Sequence, residues 1–551
     1  MPAAYQHLRV RLRVEQTRLL NWGDKAGLVE QLFEQSSKTL RLDRNVVIDI
    51  LLEIQAIFRS CVKIMEKYDE KMPLKQGSPM AEPSFDRRFP RGVNSILNKV
   101  LSIAEKAPEL PGRLKWAMVK QDTFKSSVEK LIGYNDAIEA LLDSNSIDQL
   151  QKMQHQTYMV MLQLNGKVEE LRQMSLAMQI KTHPAAQRES RLSRASTLVG
   201  DQDEENASFV CLAEFKAHQK SIEHGGSSAD LQPISNEHLH ILSSHSIRSE
   251  ALYQSKHVWI EWKTYMVDNY HPPWWNRMIE DRVKQLATLL GSSRKPREFR
   301  APHCLGYIHQ TTEEKQLFGF VYERPGANVP STTTTVSLFD LFKSMKIPSL
   351  TKRIQLARSI AQSLMYLHSV NWLHKGIRSN NIVFVSPPAI SNDILKEPIV
   401  SGFEYARPDI TGEWTEPTPR YSEDDVYKHP QTLGGARLRS KKSDDIYSLG
   451  VVLVEIAHWR SMIDILSVPK DTRAARTMVK SIRDKLLERQ FSEDTEGKTG
   501  ELYQEAVRRC LTGGEELGLD KHADETDPEV GAAMYEVFSR EVVGRIGDMR
   551  V

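Results

Sequence analysis

The sequence predicts a multidomain protein: an all-α helical bundle followed by an α+β two-lobed domain. From residue 5 to about 180, apolar residues recur with the period of amphipathic helices. Residues 181–208 then lose hydrophobicity and read as a flexible linker. Strand-like runs followed by long helices fill 209–551, the order expected of an α+β unit. At 551 residues the chain exceeds one compact core, and length alone suggests about two to four domains.

In the first region, Val47, Ile50, Leu51, Ile54, Ile57, Phe58, Cys61, Val62 and Met65 recur every three or four positions, with Asp49, Glu53 and Arg59 between them. This is the pattern of an amphipathic helix with one buried face. A second such helix is predicted over 114–142. Leu150, Met153, Val160, Leu164, Val168, Leu171, Met174 and Met178 mark a long final helix with a nearly coiled-coil stripe. The linker contains R-L-S-R-A-S, where Ser193 and Ser196 stand beside arginines that a phosphate could engage. Residues 219–246 read as exposed loop. Strands are then expected at 257–267, 303–309 and 316–323, and helices at 278–291, 349–369 and 446–459.

Composition narrows the function classes. Lys+Arg 74 against Asp+Glu 72 leaves a net charge of +2, which gives no general electrostatic basis for binding nucleic acid. The four cysteines (Cys61, Cys211, Cys304, Cys510) are scattered, without disulfide or zinc spacing, and fit a reducing, cytoplasmic setting. The opening residues lack the apolar core of a signal peptide, and no segment has roughly 18 uninterrupted apolar residues. The histidines form no HExxH or other metal-ligand spacing.

The most specific stretch is Y-L-H-S-V-N-W-L-H-K-G-I-R-S-N-N-I-V-F-V, residues 366–385. It resembles the end of a long helix and the catalytic loop of eukaryotic protein kinases, H-R-D-L-x-x-x-N, whose aspartate is the catalytic base and whose asparagine holds magnesium. His374 and Asn381 keep their places, Lys375 replaces the arginine, and Gly376 stands at the aspartate. Farther on, I-V-S-G-F-E-Y (399–405) resembles the D-F-G segment, with Gly402 at the metal-binding aspartate and Glu404 one position beyond Phe403. S-D-D-I-Y-S-L-G (443–450) resembles the opening of the buried C-lobe helix. There the resemblance implies that Asp445 orients the catalytic loop. Y-K-H-P-Q (427–431) lies where A-P-E is expected, with Pro430 retained and Gln431 at the glutamate.

In the N-lobe, I-E-W-K (260–263) matches V-A-I-K loosely, proposing Lys263 as the phosphate-holding lysine and Glu280 as its helix partner. No GxGxxG precedes them. The resemblance thus implies a two-lobed protein-kinase-like domain over 209–551, with an N-lobe to about 325. It also implies a nucleotide site for ATP built on Lys263 and Glu280, with Mg2+ on Asn381 and Glu404 weakly held or absent. A lost general base alone removes roughly 10²–10⁴ in rate, so a pseudokinase is the first reading.

V-R-L-R-V-E-Q-T-R-L-L-N-W-G-D-K-A-G-L (10–28) and the segment 114–142 resemble the HeLo, or prion-inhibition and propagation, domain of filamentous fungi. The motif residues are Trp22, Gly23, Trp116 and a turn at Gly133-Tyr134-Asn135. The resemblance implies a helical bundle over 1–180. It also implies a role in incompatibility or regulated cell death, with protein partners or self-association through the bundle and membrane engagement on activation. Family members usually begin with a further apolar helix ahead of the segment matching Tyr5. Three functions stay open: a switch in which the kinase-like domain controls the bundle, an unconventional kinase, and an inert scaffold.

Overall fold

The computed structural model describes residues 11–12, 14–19, 21–23, scattered positions from 50 to 61, 120–139, 144–179, 198–223 and most of 233–550. Trp116, Ser193, Ser196 and Glu404 lie outside the described residues. The chain divides into two units, Met1–Met161 with Lys167–Glu214, and Leu162–Gly166 with Phe215–Val551.

The first unit is helical throughout its described residues. Helices α1 (Lys120–Glu139), α2 (Ser144–Leu164) and α3 (Val168–Gln179) carry the predicted apolar periodicity, and Leu131, Ile138, Met159 and Leu171 are fully buried. The single long helix expected over 150–178 is instead broken at 165–167. Asn165 and Gly166, two weak helix formers, separate α2 from α3 there. Gly133-Tyr134-Asn135 is helix rather than turn, because these residues lie inside α1. Asn135 is buried, and its amide donates to the Glu15 carbonyl (2.9 Å). The Trp22 indole, 1% exposed, donates to the Ile138 carbonyl at 3.0 Å.

Between those two contacts lies a buried ion cluster. Arg18 donates to Glu15 (2.8 Å), Asp136 (2.7 Å) and Glu139 (2.6 Å). Burial disfavours the guanidinium charge, but the carboxylates of Glu15, Glu139 and Asp136 outweigh it and hold its pKa well above the ordinary value. The helical residues from 11 to 23 are thereby keyed to α1 by charge as well as by Trp22.

The predicted linker 181–208 is corrected over its second half. Helix α4 spans Leu198–Glu223, and Asp201, Asp203, Glu204 and Glu205 stand near its N-terminus, where carboxylates complement the helix dipole. The unit boundary falls within this helix, after Glu214. In the second unit, Phe215 stacks on Trp372 (5.4 Å) and meets Phe299 edge-on (5.0 Å). Buried Lys216 donates to the carbonyls of Leu162 (2.7 Å) and Gln163 (3.1 Å).

The second unit is α+β and two-lobed. Its N-lobe is a five-stranded antiparallel sheet in the order β1-β2-β3-β5-β4, from β1 (Leu239–Ser244), β2 (Arg248–Tyr253), β3 (Lys256–Met266), β4 (His303–Thr311) and β5 (Lys315–Glu323). Strand β1 falls within a stretch expected as loop. Helix α5 (Trp274–Leu290) connects β3 to β4 and packs on β4. Arg248 is directly opposite Glu261, and Glu250 opposite Trp259, so these four side chains share one sheet face. The other face packs Ala251, Val258, Ile260 and Val321 into an apolar core.

The C-lobe begins with β6 (Thr334–Ser337), α6 (Leu338–Ser344) and α7 (Leu350–Ser369). A Ser337/Asp340 capping box starts α6, and Ser349 caps α7. Two-residue strands β7 (Trp372–Leu373) and β9 (Ile399–Val400) flank β8 (Ile382–Ser386), and β6, β8 and β9 form one sheet. Helix α8 (Lys442–His458) is the lobe's axis, with Ile446, Leu449, Val451, Val452, Leu453, Val454 and Ile456 all fully buried. Helix α9 (Glu501–Thr512) crosses it at Gly450, where a Cβ would meet the Cys510 Cβ at 2.8 Å.

Helix α8 also buries a carboxyl. Glu455 Oε1 accepts from the Tyr427 hydroxyl (2.7 Å) and the Met462 amide (2.7 Å), while Ser379 Oγ lies 2.8 Å from the same hydroxyl. Burial pushes the Glu455 pKa up to about 8, so the group is protonated at neutral pH.

Two measurements test this packing. Arg18→Ala leaves Glu139 without its cation and Glu15 with Arg11 alone (3.0 Å), and should destabilise the chain by about 1–3 kcal/mol in urea unfolding; a loss well under about 1 kcal/mol would mean the cluster is solvated. For Glu455, the folded pKa lies above the ordinary 4.5. Its contribution is therefore complete below about pH 4.5 and is lost as pH rises through about 8. Glu455→Gln should gain on the natural chain by up to about 1.4 kcal/mol per pH unit across that window. A stability difference that does not change with pH would contradict a neutral buried carboxyl.

Candidate functional site

The cleft between the sheet and the C-lobe is built from the loop after β7, the segment after β9, and the face of β2 and β3 that carries Arg248, Glu250, Trp259 and Glu261. The loop after β7 is held from beneath by Asp445 on α8. Its carboxylate accepts the backbone N–H of His374 (2.8 Å) and of Lys375 (2.7 Å), and His368 Nε2 lies 3.3 Å away. Burial works against this charge, but the hydrogen bonds from His368 and the His374 backbone bring the pKa below the usual carboxylate value. Lys375 takes a left-handed conformation, φ 62°, which an L-residue sustains only where its surroundings fix it. His374 is fully enclosed. Its Nδ1 accepts the Gly376 N–H (3.1 Å), its ring lies 4.4 Å from that of Phe403, and burial lowers its pKa to about 4.

Gly376 and Gly402 face each other across Asn381. A Cβ on Gly376 would sit 2.7 Å from the Gly402 carbonyl oxygen. A Cβ on Gly402 would sit 1.9 Å from Asn381 Nδ2, and the residue has φ +84°. Neither glycine is a vacancy awaiting a side chain, since Asn381 and the backbone already fill the space. Asn381 Nδ2 donates to the Gly376 carbonyl (2.8 Å), and its Oδ1 accepts from Arg248 Nη2 (3.2 Å). The oxygen expected to bind magnesium is therefore occupied by a guanidinium.

That guanidinium comes from β2. Arg248 also donates to the Asn380 carbonyl (2.7 Å) and, through Nε, to Glu261 Oε1 (2.7 Å). Glu261 in turn accepts from Ser401 Oγ (2.6 Å) and from the Gly402 N–H (3.0 Å). Among the described residues, Glu261, two positions before Lys263, is thus a β3 side chain that reaches the loops. The register V-W-I-E at 258–261 fits V-A-I-K better than the one expected, with a carboxylate at the lysine position. Lys263 is buried on the same strand with its ammonium 5.0 Å from the Tyr265 ring centre. Glu280 on α5 lies 3.9 Å from His309 Nδ1. Pro430 opens a short 3-10 turn, Pro430–Leu433.

Glu250 and Trp259 lie farther along the same sheet face. Trp259, fully buried, stands where V-A-I-K has alanine and lies 5.6 Å from the Tyr322 ring. Beside it Glu250 is ion-paired to Arg324 and accepts the Thr335 N–H (2.9 Å), while Arg324 donates to the Thr333 carbonyl (2.6 Å). Glu250 therefore binds both ends of the connection between the lobes. The sequence reading missed Arg248, Glu250, Glu261 and Arg324. The signal for Glu261 was present, since Val258 and Ile260 keep their V-A-I-K places.

In kinases the β3 lysine and the metal ions compensate phosphate charge; here, among the described residues, Glu261 points a carboxylate at the same loops, with Trp259 and the Glu250–Arg324 pair beside it.

Residues 1–174 match the family model described as HeLo, prion-inhibition and propagation. Residues 303–546 match a domain of unknown function. A serine/threonine-protein kinase-like protein of Arabidopsis thaliana is 35% identical over 171 residues, covering 30% of this chain and 43% of that protein. MAP kinase-activated protein kinase 2 of Homo sapiens is 31% identical over 99 residues, 18% of this chain and 22% of that protein. The chain spans less than half the length of either relative. Among solved structures, the twitchin kinase region from C. elegans has a TM-score of 0.36 at 13% identity, covering 51% of this chain and 44% of that one. No described helix is long and apolar enough to cross a membrane. The chain thus joins an N-terminal HeLo domain, residues 1–174, to a C-terminal protein-kinase-like region.

Proposed function

We propose that this protein is a signalling pseudokinase in which the kinase-like region transfers no phosphate and instead controls the HeLo region, in the setting of incompatibility or regulated cell death. The observation that carries the reading is the pair Gly376 and Gly402 at the two aspartate positions, packed so closely against Asn381 that a side chain at Gly402 collides with it. Phosphoryl transfer needs a group to accept the hydroxyl proton and a firmly held metal; glycine supplies neither. Asn381, the retained metal ligand, is engaged on both sides by Arg248 and Gly376. The HeLo match supports the cell-death setting, and with it self-association through the helical region, protein partners and recruitment from the cytoplasm to a membrane on activation.

The test is transfer of radiolabelled γ-phosphate by the full-length chain, to itself or to a generic protein substrate, with magnesium and with manganese. No incorporation above a protein-free control is expected. The double variant Gly376→Asp/Gly402→Asp should stay inactive, because the new side chain at 402 has no space beside Asn381. Incorporation by the natural chain that disappears in Asn381→Ala would show a working kinase and sink the reading.

A further inference from the structure

We propose that the cleft of the kinase-like region is closed by its own side chains. Arg248 and Glu261 stand in for metal and nucleotide and latch the N-lobe sheet to the catalytic-loop and D-F-G-like segments. This inference rests on the pseudokinase reading and adds to it the means by which the lobes are held together.

Three observations converge. The guanidinium of Arg248 meets the oxygens of Asn380 and Asn381, the second being the atom that a metal would take. Glu261 meets Ser401 Oγ and the Gly402 N–H, so β2 and β3 contact both loops directly, where kinases bridge the same gap through phosphates and magnesium. Both residues are largely withdrawn from water, 14% and 3% exposed at the side chain, so the pair is not a screened surface contact. The second clamp, Glu250 with Arg324 and Thr335, closes the other half of the cleft from the same strand. Strand β2 alternates Arg248 and Glu250 toward the cleft, and β3 alternates Trp259 and Glu261. A signal that separates the lobes must then act by breaking this pair, and ATP is not that signal.

Hydrogen–deuterium exchange on the full-length chain tests the proposal. In the natural chain, millimolar ATP, with or without MgCl2, should leave exchange in peptides covering 376–381 and 400–403 unchanged. Arg248→Met, and separately Glu261→Gln, should speed exchange in those peptides by about tenfold or more, leaving the α8 peptide 446–457 at its natural rate. Lys256→Met, which removes an exposed pair with Glu323, is the control and should change neither. Slower exchange in 376–381 or 400–403 on adding ATP would overturn the proposal, as would natural rates there in both cleft variants. If a variant exchanges fast everywhere, as an unfolded chain does, the nucleotide arm on the natural chain decides. ATP protection without phosphate transfer defeats this inference alone, whereas protection with transfer defeats the pseudokinase reading too.

Discussion

One carboxylate, Glu261, organises the cleft. A buried carboxylate must be compensated by charge or hydrogen bonds. The cation beside Glu261 is Arg248, which also engages Asn381. Its hydroxyl donor is Ser401, and its backbone donor is the N–H of Gly402, held at φ +84°. Most side chains resist that conformation, so a glycine is what presents this N–H to the carboxylate.

Three of the buried carboxyl groups of the kinase-like region are resolved in different ways. Glu261 is neutralised by a guanidinium, Asp445 by two backbone N–H groups and His368, and Glu455 by keeping its proton. Between them these groups connect β2, β3, the loop after β7, the 3-10 turn at Tyr427 and α8. The polar framework is continuous across the region.

Much of this was legible in the residues. The 3.6-residue period located α1, α5, α7 and α8, and alternation of β-branched and aromatic residues located β3, β4 and β5. His374, Gly376, Asn381 and Asp445 were readable because their spacing is local. Three features were not. The break at 165–167 is invisible to a count of apolar spacing, since Leu164 and Val168 keep the stripe across it. The helix from Leu198 was hidden by polar composition, which signals a linker unless the acidic residues are read as helix-start signals. The part played by Glu261 is hidden because V-A-I-K carries a lysine; Glu261 and Lys263 share one face of β3, and only the register with β2, which sets Arg248 opposite Glu261, reveals the contact.

Asp445 grips the catalytic loop through the backbone of His374 and Lys375 and touches no side chain that catalysis requires. The contour of the loop is thereby fixed at its backbone, with no demand on the side chains at 375 and 376. On the pseudokinase reading, outline and reactivity can part company here, because the contacts that set the one are not those that phosphoryl transfer uses.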